Sequence, residues 1–112
     1  MTHWQPFLDQ LAGMTPPPHC ANPYDTRTAV GRQRLQNLQQ YLLVAGTFPP
    51  LLLVGEAPGY RGARLSGIPF VSPALLADPR VAPGLFGAEN GFVPAAEWPR
   101  IRREASATMM WE

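Results

Sequence analysis

The sequence predicts an α/β fold built on a parallel sheet, incomplete and rich in loops. Three observations predict it. An amphipathic stretch of helical period runs over residues 28–45. A break at Gly46 and Pro49-Pro50 follows it. Then come five residues without a polar side chain, Leu51-Leu52-Leu53-Val54-Gly55, bounded by proline and glycine. A helix, a short turn and a continuous apolar run are the sequence form of a helix feeding a strand buried on both faces.

Each element follows in chain order. Trp4, Phe7, Leu8 and Leu11 recur at helical spacing and predict a short helix, ended by Gly13 and the proline run Pro16 to Pro18. Asn22-Pro23-Tyr24 reads as a turn, with Asp25 or Thr26 as the cap of the next helix. In residues 28–45, Leu35, Leu38, Leu42 and Ala45 form one apolar stripe, and Arg32, Arg34, Gln36 and Gln39 fall on solvated faces. From Ser66 to Trp98 the chain reads as loop, with one short helix near Pro73 to Leu76. Near the end, Ser106 either caps a helix beginning at Ala107 or precedes a strand over Thr108 to Trp111.

Composition bounds the rest. The 112 residues suffice for one domain, 1–112. Hydrophobic residues make up 46% of the chain, as in globular proteins, whereas 14 prolines leave little room for long regular elements. Net charge is +1 and every basic residue is arginine, so no global basic field marks a nucleic-acid binder, although a local groove for phosphates is compatible with it. One cysteine, Cys20, supplies neither an internal disulfide nor a cluster ligand set, and no two ligating residues fall at metal spacing. No cofactor and no metal are expected. There is no basic-plus-apolar opening segment and no apolar run near the ~20 residues that span a bilayer. The expectation is a soluble, cytoplasmic protein without a membrane partner.

Ligands of open α/β sheets gather beyond the carboxyl ends of the strands. The segment at that place is Gly55-Glu56-Ala57-Pro58-Gly59-Tyr60-Arg61-Gly62, followed by Arg64, Gly67, Ile68, Pro69 and Phe70. It resembles the first motif of the uracil-DNA glycosylase superfamily, in the bacterial branch with a Gly-Glu-Ala-Pro-Gly core. Asn22-Pro23-Tyr24, the arginine-bearing helix and the Ser106-Ala107-Thr108-x-x-Trp111 ending are also similar to that branch. The resemblance implies a three-layer glycosylase-like domain acting in base excision repair. Its reaction would be hydrolysis of the N-glycosidic bond of uracil or another deaminated base in DNA.

The same residues fit the needs of that chemistry. An extruded base needs a pocket with an aromatic ring to stack on, and Phe70 is the candidate. A tight turn must bring the backbone to the sugar, which Gly55, Ala57, Pro58, Gly59 and Tyr60 would shape. A polar group must position water against C1′, and Glu56 is the candidate. Arg61 and Arg64 flank the loop and would meet phosphates. Against this stand plainer readings: Glu56 as a solvated carboxylate, Phe70 as core, the arginines as surface charge.

Departures from the family pattern shape the expectation further. Ala57 stands where one branch carries its catalytic aspartate, and Tyr60-Arg61-Gly62 replaces the acidic pair of the iron–sulfur branch. The asparagine-bearing strand and the histidine-bearing loop of the superfamily would fall beyond Glu112. The resemblance therefore implies an N-terminal portion that holds half a pocket, completed by a second copy or by a missing C-terminal half. The alternative is a truncated, non-catalytic member with weak nucleic-acid binding.

Overall fold

A computed structural model describes residues 3–45, 51–55, 57–58, 62–78, 85–92 and 105–111. Its elements are α1 (Gln5–Gly13), α2 (Ala29–Ala45), α3 (Ala63–Ser66), α4 (Pro73–Ala77), a 3-10 turn (Ala88–Asn90) and α5 (Ala105–Trp111). No strand occurs among the described residues. The expected α/β fold with its parallel sheet is therefore wrong: the described chain is helical.

The error lies in Leu51 to Gly55. That segment carries neither helix nor strand, and its side chains are not buried: Leu51 is 71% exposed, Leu52 79%, Leu53 50% and Val54 81%. The physical reason is the absence of a partner. A parallel strand is stable only when neighbouring strands take up its N–H and C=O groups and helices cover both faces. The described residues supply no second strand, so the apolar run has no ladder to join.

The core instead forms in the region expected to be loop. Ile68, Val71, Leu75, Leu76, Phe86, Phe92 and Ala107 make one buried cluster, with Tyr41, Leu85 and Trp111 packed against it. Phe86 is its centre, edge-on to Phe92 at 5.6 Å and to Trp111 at 5.1 Å. Such T-shaped pairs contribute about 0.5–1.5 kcal/mol each beyond their burial. Two of the short helices here have legible local causes. Pro73 stands at the start of α4 where its missing N–H costs nothing, and Ser72 Oγ accepts the Leu75 N–H at 3.3 Å. Helix α3, which the sequence reading did not anticipate, is a single turn closed by Gly67 in the left-handed region. At the end of the described chain Ala105–Trp111 is helical, so the strand alternative over Thr108 to Trp111 fails.

Helix α2 is the longest element and its start differs from the expected cap. Thr28 caps it: Thr28 Oγ1 accepts the Gly31 N–H at 2.9 Å and donates to the Asp25 carbonyl at 3.0 Å. Asp25 is used otherwise, its carboxylate accepting the Arg27 N–H at 2.9 Å and pairing with the Arg27 guanidinium at 2.8 Å. The buried face of α2 is also broader than the apolar stripe. Leu38 is buried as expected, but so are Asn37, 1% exposed, and Arg34, 8% exposed. Arg34 was expected in solvent; its Nη1 donates to the Pro23 carbonyl at 3.2 Å.

Helix α1 (Gln5–Gly13) buries Leu8 and packs on α2, which in turn packs on α3, and α3 on α4. The link between α1 and α2 is polar. Asn22 Nδ2 lies 2.8 Å from the Leu11 carbonyl, 3.3 Å from that of Ala12 and 3.2 Å from that of Met14, while Asn22 Oδ1 accepts the Tyr24 N–H at 3.0 Å. One amide thus gathers carbonyls at the end of α1, of which that of Leu11 also accepts the Met14 N–H at 3.4 Å, and fixes the turn into Tyr24. Replacing Asn22 with Ala removes the amide that ties the end of α1 to this turn. We expect Asn22→Ala to lower stability by about 1–3 kcal/mol in urea unfolding followed by circular dichroism.

Candidate functional site

The loop at Ile68 to Val71 sets the geometry of the site. The Val71 N–H closes onto the Ile68 carbonyl at 3.2 Å, with Pro69 and Phe70 between them. Proline holds φ near −65°, and Phe70 has φ 60°. Among the common four-residue turns this combination is type II, whose third position calls for positive φ and normally takes glycine. Here that position carries phenylalanine.

The turn is held by buried polar groups. Ser66 Oγ donates to the Val71 carbonyl at 2.7 Å, has the Ile68 carbonyl at 3.2 Å, and accepts the Ile68 N–H at 3.1 Å. Asn37 Nδ2 donates to the Ser66 carbonyl at 3.1 Å, and the Tyr24 hydroxyl donates to the Gly67 carbonyl at 2.6 Å. Between them Gly67, at φ 83°, lies against α2 so closely that a Cβ would stand 2.5 Å from the Arg34 carbonyl oxygen.

Beside this turn lies a cavity of about 380 Å³. Leu53, Val54, Gly55, Ala57 and Pro58 form one wall; Pro69 and Phe70 form another. Tyr24, Ala63 and Ser106 complete the described lining. The two halves of the sequence motif thus line one space. The Phe70 ring reaches to Gly55, where an added Cβ would stand 3.5 Å from the ring's Cζ. The lining is largely apolar, as in sites that bind small organic molecules.

The expected site residues divide into three groups. Gly55, Ala57, Pro58 and Phe70 are brought together. Arg64 is exposed on α3, next in sequence to the cavity-lining Ala63. Glu56, Gly59, Tyr60 and Arg61 lie outside the described residues. The sequence reading missed Leu53 and Val54, taken for buried strand, and Pro69 and Ser106 as lining. It also gave Tyr24 only a turn. The signal for Tyr24 was Asn22-Pro23-Tyr24, a fixed turn that aims one aromatic residue. For Asn37 the signal was its position, three residues after Arg34 and four before Tyr41 on one helical face.

The Tyr24 phenol is pushed up to about 12 by burial, with the Arg34 charge pulling weakly the other way. Burial also raises the Tyr41 phenol. Both groups are neutral at physiological pH, so the Tyr24 hydroxyl serves as a hydrogen-bond donor. Among the described residues no group of three or more His, Cys, Asp or Glu side chains could hold a metal ion, and no helix is long and apolar enough to cross a membrane. No protein-family model, no curated protein and no solved structure matches the chain.

The phenol shift gives a sign for pH dependence. The unfolded chain releases the Tyr24 proton near pH 10, the folded chain only near 12. Stability therefore falls as pH rises across that window. Between pH 8 and 11.5 the Tyr24 contribution to that fall should be roughly 1–2 kcal/mol. In Tyr24→Phe it should be absent, leaving the smaller Tyr41 component, as measured by urea unfolding at a series of pH values.

Proposed function

We propose that this chain is a uracil-DNA-glycosylase-like protein whose cavity receives a base turned out of DNA, in the service of base excision repair. One observation carries the reading. The two segments that resemble the glycosylase first motif, represented by Leu53, Val54, Gly55, Ala57 and Pro58 and by Pro69-Phe70, are about a dozen residues apart in sequence yet line the same 380 Å³ cavity. An extruded base needs a flat apolar slot and an aromatic face, and these residues offer both. Phe70 stacks on the base. Gly55, Ala57, Pro58, Gly59 and Tyr60 shape the approach to the sugar. Arg61 and Arg64 meet the flanking phosphates. Glu56 positions a water whose oxygen adds to C1′ as the C1′–N bond breaks; the base leaves and the carboxylate takes the water's proton.

A second reading, base binding without hydrolysis, is favoured by the chemistry of the described lining. Only Tyr24 and Ser106 bring polar side-chain atoms to it, and the Tyr24 hydroxyl is engaged by the Gly67 carbonyl. Hydrolysis then rests on Glu56 alone, whereas stacking asks only for an aromatic ring such as Phe70 on the described lining.

The two readings separate in one experiment. The purified chain is incubated with a uracil-containing single-stranded oligonucleotide, and abasic sites are revealed by alkaline scission. A fluorescent copy of the same strand reports binding by anisotropy. Hydrolysis predicts scission that Glu56→Ala lowers by about 10²–10⁴-fold. Binding alone predicts no scission and an unchanged affinity in that variant. In both, Phe70→Ala weakens affinity by about 5–150-fold, the equivalent of the 1–3 kcal/mol of one base–aromatic stack. Unchanged affinity in Phe70→Ala rejects the base-binding cavity.

A further inference from the structure

We infer that Tyr24, Asn37 and Ser66 are positioning residues for Phe70: together they hold the ring in an unfavourable left-handed turn so that it stands as a fixed wall of the cavity. What the ring then does rests on the base-binding reading above; how it is held does not.

Phe70 sits at φ 60°, in the third position of a proline-led turn. A bulky side chain there is a real conformational cost, which persists only where the surroundings over-determine it. The surroundings here are unusually well specified. Ser66 clasps both ends of the turn through one hydroxyl, binding the Ile68 N–H and the Val71 carbonyl. The Ser66 side chain is fully buried, so no water competes for it. Asn37, 1% exposed on α2, anchors the Ser66 carbonyl from outside the loop. Tyr24, arriving from the turn before α2, anchors the next carbonyl, that of Gly67. Two successive peptide groups are thus pinned from two separate parts of the chain, immediately before the strained turn.

The pinning has a direction. Gly67 touches the α2 backbone with no room for a Cβ, which fixes the depth of the loop against the helix. Ile68 and Val71, on either side of Pro69-Phe70, are fully buried in the core. Of the four turn residues only Pro69 and Phe70 remain outside that core, and both line the cavity. A turn that served packing alone would carry glycine at Phe70's position, at lower backbone cost. Phenylalanine in its place exchanges stability for a ring of fixed orientation, as functional sites do.

Two measurements test this, one independent of any ligand. In the first, thermal unfolding compares Phe70→Gly with Phe70→Ala. Both remove the ring, but only glycine relieves the left-handed backbone. The glycine variant should melt higher by roughly 4–8 °C. Alongside, 4-fluorophenylalanine at position 70 should give one narrow fluorine line in the native chain, shifted or broadened in Tyr24→Phe, which deletes one hydroxyl and no packing volume. Equal melting of the glycine and alanine variants, or a fluorine line unmoved by Tyr24→Phe, overturns the inference. In the second, anisotropy with the uracil-containing single strand should show Tyr24→Phe weakening affinity three- to tenfold in the native chain. The same change should have no effect in the Phe70→Ala background. A loss of equal size in both backgrounds means that Tyr24 acts on the ligand directly, and the positioning role is rejected. If the native chain binds no strand at all, the base-binding reading falls, and the melting and fluorine results still decide how Phe70 is held.

Discussion

The contact between Gly67 and the backbone of α2 is the constraint on which the described structure turns. It joins the longest helix to the segment that carries the core and the cavity wall. A left-handed residue without a side chain lets the loop carbonyls come within reach of Asn37 and Tyr24, and those two bonds would be too long if a Cβ kept the chains apart. Ser66, one residue earlier, then directs the chain into the proline-led turn. Ile68 and Val71 drop into the core on either side of it, and Phe70 stays out. A single close approach thus connects helix packing, core formation and the placement of the aromatic ring.

The polar character of this junction has an energetic consequence. Apolar contacts tolerate sliding, because their free energy depends on area rather than direction. Hydrogen bonds to particular carbonyls do not, and a buried one that is broken costs more than its formation contributed. At this junction, where the described contacts between α2 and the loop run through named carbonyls, direction matters as well as area. Asn22 does the same at the end of α1, where one side-chain amide meets three carbonyls. Asparagine and serine, poor helix and core residues by propensity, therefore stand at the joints that give this proline-rich chain a defined shape.

Helices were legible where period and punctuation agreed. Leu8 at the centre of the first apolar pattern, Gly13 after it, and Ser72-Pro73 ahead of a short apolar run all carry their structural meaning locally. The run Leu51 to Val54 did not, because four apolar residues state only that burial would be favourable, not what would provide it. Burial of a strand is a property of its neighbours, and the described residues supply none. The core was misplaced for the converse reason. Phe86 and Phe92 are single aromatic residues in a glycine-containing stretch without a period, and only the three-dimensional approach of α4 and α5 makes them a cluster. Arg34 shows the same limit, since nothing in its sequence neighbourhood records that the Pro23 carbonyl waits opposite it.

The candidate site was legible in part because its motif is built from backbone-determining residues. Proline fixes φ at Pro58 and Pro69 and glycine permits the left-handed turn at Gly67, so both parts of the motif line the cavity although the described residues hold no sheet to support them. This separates the site from the architecture. On the base-binding proposal, a slot for a planar ring needs two short segments at a fixed spacing and one aromatic residue held still. On the positioning inference, a helix, a tyrosine and a serine hold that residue, where a strand end was expected to. The strain at Phe70 fits this view, because a turn that can be closed only at a conformational cost is retained when the ring it presents has a task outside the core.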